Sequence, residues 1–240
     1  MKVQPTDLTN LLAVQEADSA IAALKQKAAS LPILAEIKTL SQQRATVGDR
    51  LIDAQTKLSD AEQVAGRAEA DVEPVRQRLV RNQARVDAGE MDAKALANAI
   101  DEIAHLKTRI SDLEDAQLTS LDAVDQAQTT ANAVSQEAVD VEADLNQALA
   151  RRDQELARLV DEVKQIEAKR AELTHAIPAD LLGLYDKIRA RAAGVGVARF
   201  EGRRCLGCGL EATVVDANRY AATPADELIR CAECDRILVR

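Results

Sequence analysis

Aromatic residues are almost absent from this chain of 240 residues, which has no tryptophan, two tyrosines and one phenylalanine. Aromatic side chains bury the largest areas in ordinary protein cores, so a chain of this length is not expected to fold as a compact enzyme without them. The only two histidines, His105 and His175, fall in predicted helices, where we expect them on the surface. Because no Ser/His/Asp set and no glycine-rich phosphate loop occurs either, we expect no enzymatic activity and no small-molecule substrate.

Long apolar runs are missing as well. No run approaches the roughly 18 residues that a membrane span needs. Residues 1–7 lack the apolar segment of a secretory signal. We therefore expect a cytoplasmic protein with no membrane partner. In that compartment, paired cysteines more often hold a metal than form a disulfide.

Heptads of alanine, leucine and valine fill most of the chain. Apolar positions separated alternately by three and four residues run from Ile37 to Leu79 and again from Leu96 to Leu173, which is the seam of a coiled coil. Between the two series, Gly89 suits the end of one helix and Asp92 the cap of the next. The pattern predicts an antiparallel coiled-coil hairpin of helices over 33–86 and 93–174, with its tip near residues 86–92.

A shorter helix is predicted before the hairpin, over residues 6–30. It ends at Leu31-Pro32 because proline disfavours helix in the residue before it. At 1.5 Å per residue the second long helix exceeds the first by about 42 Å. We therefore expect the short helix to face that excess length, so that one long helix is faced by two shorter ones.

Charge, cysteine and aromatic content all change near residue 185. Residues 1–184 hold 21 basic and 32 acidic residues, a net charge of −11, whereas residues 185–240 hold 10 and 8, a net charge of +2. All four cysteines and all three aromatic residues lie in the second stretch. These changes predict two domains, a helical coiled-coil hairpin over 1–184 and a linker helix with a small ribbon over 185–240.

The four cysteines form two C-x-x-C pairs separated by 22 residues. We call residues 205–209 the first knuckle and residues 231–235 the second knuckle. Two residues between cysteines allow one tight turn to present both sulfurs to a metal, and four thiolates are the ligand set of structural zinc. We expect Gly207 and Gly209 to supply positive φ angles in the first turn and Asp235 to adopt the left-handed region in the second. The expected ligands of one structural Zn²⁺ per chain are Cys205, Cys208, Cys231 and Cys234.

The residues around the knuckles are predicted to be short strands, over 195–203, 212–215, 228–230 and 237–239. Two hairpins with a knuckle at each turn would form a zinc ribbon, and zinc would supply folding energy to so small a domain. The overall fold class predicted is mainly α, a long antiparallel coiled-coil hairpin followed by a small β zinc-ribbon domain. A thioredoxin-like redox pair is a rival interpretation, but no βαβ pattern surrounds either pair. Catalytic zinc is a second rival, although four cysteines leave no open position.

Several short motifs carry a resemblance to a known family. They are Leu31-Pro32, Ile177-Pro178 before Leu182 and Tyr185, Lys187-Ile188-Arg189, the first knuckle, and the ending from Cys231 to Leu238. Over nearly its whole length the chain resembles the bacterial C4-type zinc-ribbon proteins with an N-terminal coiled-coil hairpin. That family usually has glycine where this chain has Asp235. The resemblance implies a non-enzymatic protein, described as a nucleic-acid-binding or partner-binding scaffold.

Two function hypotheses follow for the ribbon and the coiled coil. In the first, a basic cluster binds RNA or DNA phosphates, with Phe200 or Tyr220 stacking on a base if exposed. The alternative for that cluster is that it balances the charge of a metal–thiolate centre and caps the last helix. In the second hypothesis the chain is a protein-interaction scaffold with a protein partner on the coiled coil. The candidate phosphate contacts are Arg189, Arg191, Arg199, Arg203 and Arg204.

Overall fold

A computed structural model describes all residues from 1 to 240, and 77% of them are helical. The fold class is confirmed, because a long helical hairpin is followed by a small C-terminal strand region. The helices are α1 (Pro5–Ala29), α2 (Ile33–Asp87), α3 (Ala93–His175), α4 (Ala179–Arg191) and α5 (Val214–Ala222). The strands are β1 (Val197–Glu201), β2 (Arg204–Cys205), β3 (Ile229–Arg230) and β4 (Ile237–Val239). None of the helices combines the length and the apolar character needed to cross a membrane.

The chain divides into two compact units. Residues 35–149 form the first, here called the hairpin unit, and residues 1–34 with 150–240 form the second, here called the ribbon unit. This division differs from the sequence-based boundary at 184/185, which falls inside α4. The reason is that α1 and α4 share one apolar core with the strands, so residues on both sides of that boundary are packed together.

The hairpin unit is built from α2 and the first part of α3. At its turn Gly89 has a φ of +68°, as its place at the helix end requires. Asp92 caps α3, because its Oδ1 accepts hydrogen bonds from the backbone N–H groups of Lys94 at 3.0 Å and Ala95 at 2.7 Å. Ion pairs connect the two helices in antiparallel order, namely Arg44–Glu142, Arg50–Glu137, Arg76–Glu114 and Arg78–Glu102.

The seam of the hairpin unit contains small and polar residues. Ala54 and Ala65 are buried on α2, and the polar Ser120 is buried on α3 with its hydroxyl donating to the carbonyl of Gln117. Meanwhile Leu118 and Leu121 lie outside the seam and are at least half exposed. Small and polar seam residues bury little apolar area each, so the stability of this unit is the sum of many small contributions along its length.

The ribbon unit has the deeper core. Leu11 on α1, Leu181 and Tyr185 on α4, and Ile237 on β4 are completely buried and belong to one cluster. The N-terminus is part of this unit, because Val3 donates its backbone N–H to the carbonyl of Asp226 at 2.8 Å. The α1 helix also lies along α3, where Lys27 pairs with Glu155 at 3.9 Å.

The sheet has the strand order β2-β1-β4-β3. The two outer pairs are antiparallel, but β1 and β4 run parallel, with Val197 opposite Ile237. The parallel pair joins the two halves into one sheet. The hairpin predicted around the second knuckle is present as β3 and β4. The first predicted hairpin is corrected, because β1 turns into β2 at residues 202–203, before the first knuckle.

The predicted strand over 212–215 is wrong, because α5 begins there. Thr213 caps this helix, and its Oγ1 accepts a hydrogen bond from the backbone N–H of Asp216 at 3.1 Å. The run Thr-Val-Val has high strand propensity, but a threonine followed three residues later by an acid also forms a helix cap. In the structure Thr213 caps a helix, and the segment after it is not a strand. The α5 helix packs Tyr220 into a second core cluster with Cys205, Cys231 and Leu238.

Candidate metal centre and basic surface

The two knuckles are built alike. In the first, the backbone N–H of Gly209 donates to the carbonyl of Cys205 at 2.8 Å, and in the second Asp235 donates to Cys231 at 2.9 Å. Gly209 and Asp235 have φ angles of +76° and +64°. Both residues therefore adopt the left-handed region predicted for them, which aspartate enters at modest cost.

Gly207 has a different role from the predicted one, because its φ is not positive. A Cβ at this position would lie 2.6 Å from Cδ of Arg236 and 2.8 Å from Cβ of Ala198. Close approach of β1 and of the residue after the second knuckle therefore explains this glycine. The spacing of the cysteines in the sequence does not reveal this packing requirement at Gly207.

The four cysteine sulfurs converge. The Sγ atoms of Cys205, Cys208, Cys231 and Cys234 all lie within 4.8 Å of one another, and none is in a disulfide. Tetrahedral coordination with metal–sulfur distances of about 2.3 Å places sulfurs about 3.8 Å apart. The Sγ atoms of Cys205 and Cys234 are 3.9 Å apart. The donor set and its geometry thus fit a four-thiolate metal ion, and the residues predicted as ligands are those that come together.

The thiols differ in their acidity. Burial raises the pKa of Cys205 to about 12 and also raises the pKa of Cys231. At Cys234 burial is outweighed by hydrogen bonds, chiefly from the backbone and side chain of Arg236, which lower the pKa to about 7. A metal ion must displace protons from the two more deeply placed thiols, so its affinity falls as the pH falls.

Arg236 supports the second knuckle and is a residue that sequence reasoning missed. Its Nε donates to the carbonyl of Val195 at 2.9 Å and its Nη2 to the carbonyl of Ala192 at 2.8 Å. The side chain thereby connects the end of the second knuckle to the segment after α4. Groups that hold metal ligands in place are commonly arranged in this way.

A buried charged cluster lies in the same unit and was also missed. Asp18 on α1 is 4% exposed and accepts hydrogen bonds from Nε of Arg170 at 2.7 Å and from the hydroxyl of Tyr185 at 2.6 Å. Arg189 lies 3.4 Å away on the other side. Burial, with the bond to Asp18, raises the pKa of Tyr185, and the bond to Asp18 raises the pKa of Arg170. The sequence indicates this cluster only by placing an acidic residue, Asp18, at the apolar seam position between Val14 and Ile21.

Gln15 extends this cluster to the start of the sheet. Its Oε1 accepts from the backbone N–H of Gly196 at 2.7 Å, and its Nε2 donates to the carbonyl of Gly194 at 3.0 Å. Both bonds join residues about 180 positions apart in the chain. They tie α1 to the segment that leads into β1.

Most of the predicted phosphate-binding arginines have acidic partners. Besides Arg189 with Asp18, the pairs are Arg191–Asp235, Arg199–Glu16 at 3.7 Å and Arg203–Glu211 at 3.9 Å. Arg204 is the exception, and its Nη1 donates to the carbonyl of Gly209 at 3.1 Å. The structure therefore brings the basic residues to the ribbon unit but neutralises four of the five.

The two candidate stacking residues face each other. The rings of Phe200 and Tyr220 meet edge to face with their centroids 5.2 Å apart, and Tyr220 is 2% exposed. The Tyr220 hydroxyl accepts a hydrogen bond from the backbone N–H of Ala232 at 2.8 Å, inside the second knuckle. Tyr220 is thus a core residue, which removes it as a stacking platform for a base.

The helical hairpin together with the four-cysteine cluster defines a coiled-coil protein with a small ribbon whose cysteines are placed to hold a metal ion. The chain belongs to the CT398-like coiled coil hairpin domain family, whose model matches residues 14–193. It is 30% identical over all of its length to the protein Rv2229c of Mycobacterium tuberculosis, described as uncharacterized, of which 98% is covered.

Two solved structures are similar along the whole chain. One is a protein from Mycobacterium smegmatis, with a TM-score of 0.85, 28% identity and full coverage of both chains. The other is CT398 from Chlamydia trachomatis, with a TM-score of 0.65, 15% identity and coverage of 97% of this chain and 96% of that one. At 15% identity, the similarity to CT398 shows that the two proteins share a fold.

Proposed function

We propose that the protein is a non-enzymatic adaptor whose ribbon is stabilised by one structural Zn²⁺ and presents a surface to a protein partner. The observation that carries the zinc assignment is the convergence of four cysteine sulfurs within 4.8 Å. Four thiolates complete a tetrahedral site and leave no position for a substrate or a reactive water. A cytoplasmic compartment is part of this proposal, since paired cysteines there more often hold a metal than form a disulfide.

The choice of a protein partner rests on the state of the basic residues. Four of the five candidate arginines already face carboxylates, which reduces the positive charge that these residues offer to a phosphate. Tyr220 is buried, and the ribbon therefore lacks the exposed aromatic pair that single-stranded nucleic acid binding commonly uses. An adaptor that binds a protein needs neither unpaired arginines for phosphate nor exposed aromatic rings for bases.

Nucleic-acid binding stays the second candidate because of Arg203 and Arg204. They are adjacent, Arg203 is half exposed, and Arg204 has no carboxylate partner. Each phosphate contact adds about one unit to the salt slope of binding. Measurable affinity for RNA or DNA that falls steeply with salt, and that Arg203→Glu with Arg204→Glu abolishes at unchanged zinc content, would favour this candidate.

The test of the adaptor proposal is affinity capture with the zinc-loaded full chain, with and without nuclease. We expect a defined protein partner that is retained after nuclease treatment and after raising the salt from about 50 to about 200 mM, a range in which phosphate contacts weaken steeply. Partners that all disappear with nuclease would contradict the adaptor proposal. Elemental analysis of the same preparation tests the metal, and a metal other than zinc would contradict that part.

A further inference from the structure

Aliphatic side chains are exposed beside the metal site. Leu206 and Leu210 are 52% and 53% exposed, and Val214 and Val215 are 60% and 78% exposed. They lie within ten consecutive residues. The apolar residues of β1 and β4 are by contrast buried in the two core clusters or packed against them. Clustered aliphatic exposure of this kind commonly marks an interaction site.

The local structure fixes this stretch. The backbone N–H of Cys205 donates to the carbonyl of Leu210 at 3.0 Å, and that of Ala212 donates to the carbonyl of Arg203 at 2.8 Å. Leu206 lies within the first knuckle and Leu210 directly follows it. Thr213 then caps α5, so that the two valines begin its first turn. We call the four aliphatic residues, together with Arg203 and Arg204, the knuckle surface.

The unpaired positive charge on the knuckle surface comes from Arg204, because Arg203 pairs with Glu211 at 3.9 Å. The guanidinium of Arg204 is held against the first knuckle by its hydrogen bond to the carbonyl of Gly209 and is free of carboxylates. Arg203 has a φ of +69° in a tight turn after Gly202, whose φ is +53°. Such turns favour asparagine and glycine, and a non-glycine residue there costs on the order of 1 kcal/mol or more.

We propose that the knuckle surface is the docking site of the adaptor for a protein segment that carries aliphatic side chains next to a carboxylate. The proposal rests on the adaptor function above. The aliphatic residues would bury apolar area on the partner, and Arg204 would receive its carboxylate. A nucleic acid would find no aromatic platform here. A membrane surface would meet no exposed tryptophan or tyrosine, the residues enriched at membrane interfaces.

A random-sequence peptide library selected on the zinc-loaded full chain provides the test. We expect enriched peptides that combine Leu, Ile or Val with Asp or Glu. Val214→Ser with Val215→Ser should weaken their binding about tenfold or more, and so should Leu206→Ser with Leu210→Ser. Val139→Ser is the matched control, because Val139 is also 60% exposed but lies in the hairpin unit. Arg204→Glu should weaken acidic peptides and favour basic ones.

Several results would overturn the proposal. They are enrichment of basic or aromatic peptides, equal binding by the valine variant at unchanged zinc content, and an equal loss in Val139→Ser. The valine variant is decisive because its positions lie outside both knuckles, so its zinc site stays intact. A sedimentation experiment in which the wild type self-associates and the valine variant does not would assign the surface to a second copy instead. Binding of the wild type to lipid vesicles that the valine variant loses would assign it to a membrane.

Failure of this proposal is distinguishable from failure of the adaptor proposal. If the valine variant still captures the nuclease-resistant protein partner, the adaptor function stands and the docking site lies elsewhere. If the wild type captures no such partner, the adaptor proposal fails, whatever the peptides show.

Discussion

The hairpin unit and the ribbon unit reach stability by different means. The ten largest fully buried side chains of the protein all lie in the ribbon unit, among them Tyr185, Leu11 and Ile237. The hairpin unit has a seam with alanine and a buried serine, and it leaves residues such as Ile52 and Leu118 more than 60% exposed. The comparison shows that a long helical hairpin can rely on a shallow seam repeated many times. A small sheet with two irregular knuckles needs a deep core and, on this account, a metal ion.

The two units also use charge differently. Ion pairs between α2 and α3, such as Arg50–Glu137 at 2.8 Å, are about half exposed, where each contributes little. In the ribbon unit the carboxylate of Asp18 is buried between two guanidinium groups and a tyrosine hydroxyl. Removing one member of such a buried group leaves the others unpaired. We therefore expect the ribbon unit to be the more sensitive of the two to single substitutions.

The largest expected effect comes from a cysteine ligand. Cys231→Ser should abolish stoichiometric zinc binding and unfold the part of the ribbon that packs around the cysteines, because three thiolates no longer complete the site. Elemental analysis and tyrosine fluorescence check this, since both tyrosines lie in the ribbon unit and the chain has no tryptophan. Helical circular dichroism should change little. A collapse of the helical signal would show that the hairpin unit depends on the metal.

The second effect concerns Asp18. Asp18→Asn removes the carboxylate that Arg170 and Arg189 share and should destabilise the ribbon unit by about 3–5 kcal/mol. Urea unfolding followed by tyrosine fluorescence measures it. Glu16→Gln is the control, two residues along the same helix, because Glu16 is exposed and pairs with Arg199 at 3.7 Å; it should cost less than about 1 kcal/mol. Equal effects of the two variants would refute a special role for the buried cluster.

A matched pair of glycine substitutions sharpens the comparison further. Gly207→Ala should destabilise the ribbon unit by about 1–3 kcal/mol, since its Cβ would lie 2.8 Å from Cβ of Ala198. Gly66→Ala should stabilise the hairpin unit by roughly 0.5–1 kcal/mol, because this helical glycine has open space around it. Urea unfolding by tyrosine fluorescence and thermal unfolding by circular dichroism measure the two. Effects of the same sign would contradict the packing described here.

The smallest expected effect concerns the titration of Tyr185 and appears only at alkaline pH. The folded state raises the pKa of Tyr185, mainly through burial, so the neutral hydroxyl contributes its full stability below the unfolded value of about 10. That contribution is lost as the pH rises above 10, because the unfolded chain then gives up the proton and the folded chain does not. In Tyr220→Phe, tyrosinate absorbance should therefore appear only with unfolding of the ribbon unit. An ordinary titration near pH 10 in the folded protein would contradict the buried position.

Repeating local patterns made much of this fold predictable. The heptads, the turn residues Gly89 and Asp92, and the C-x-x-C pairs each specify structure within a few residues. The three helices predicted with bounds, α1 to α3, end within about one residue of their expected positions. The positive φ of Asp235 also followed from local turn chemistry.

Long-range packing was not predictable in the same way. The bonds from Asp18 to Arg170 and Tyr185 join residues more than 150 positions apart, and no local pattern encodes them. The grouping of α1 with α4 and the strands has the same origin. At residues 212–215 two local signals compete, and the strand propensity of two valines obscured the threonine cap of α5.

Hydrogen exchange measured before and after metal removal tests most directly whether a metal ion stabilises the two knuckles while the hairpin unit is stable without it. With zinc bound, amides of both knuckles and of the α2–α3 hairpin should be protected, because both sets are hydrogen-bonded. After a chelator removes the metal, the account predicts that peptides covering residues 204–212 and 230–238 lose protection while those covering residues 44–80 and 102–142 keep it. Unchanged protection of the knuckles without metal, or loss of protection in both units together, would contradict it.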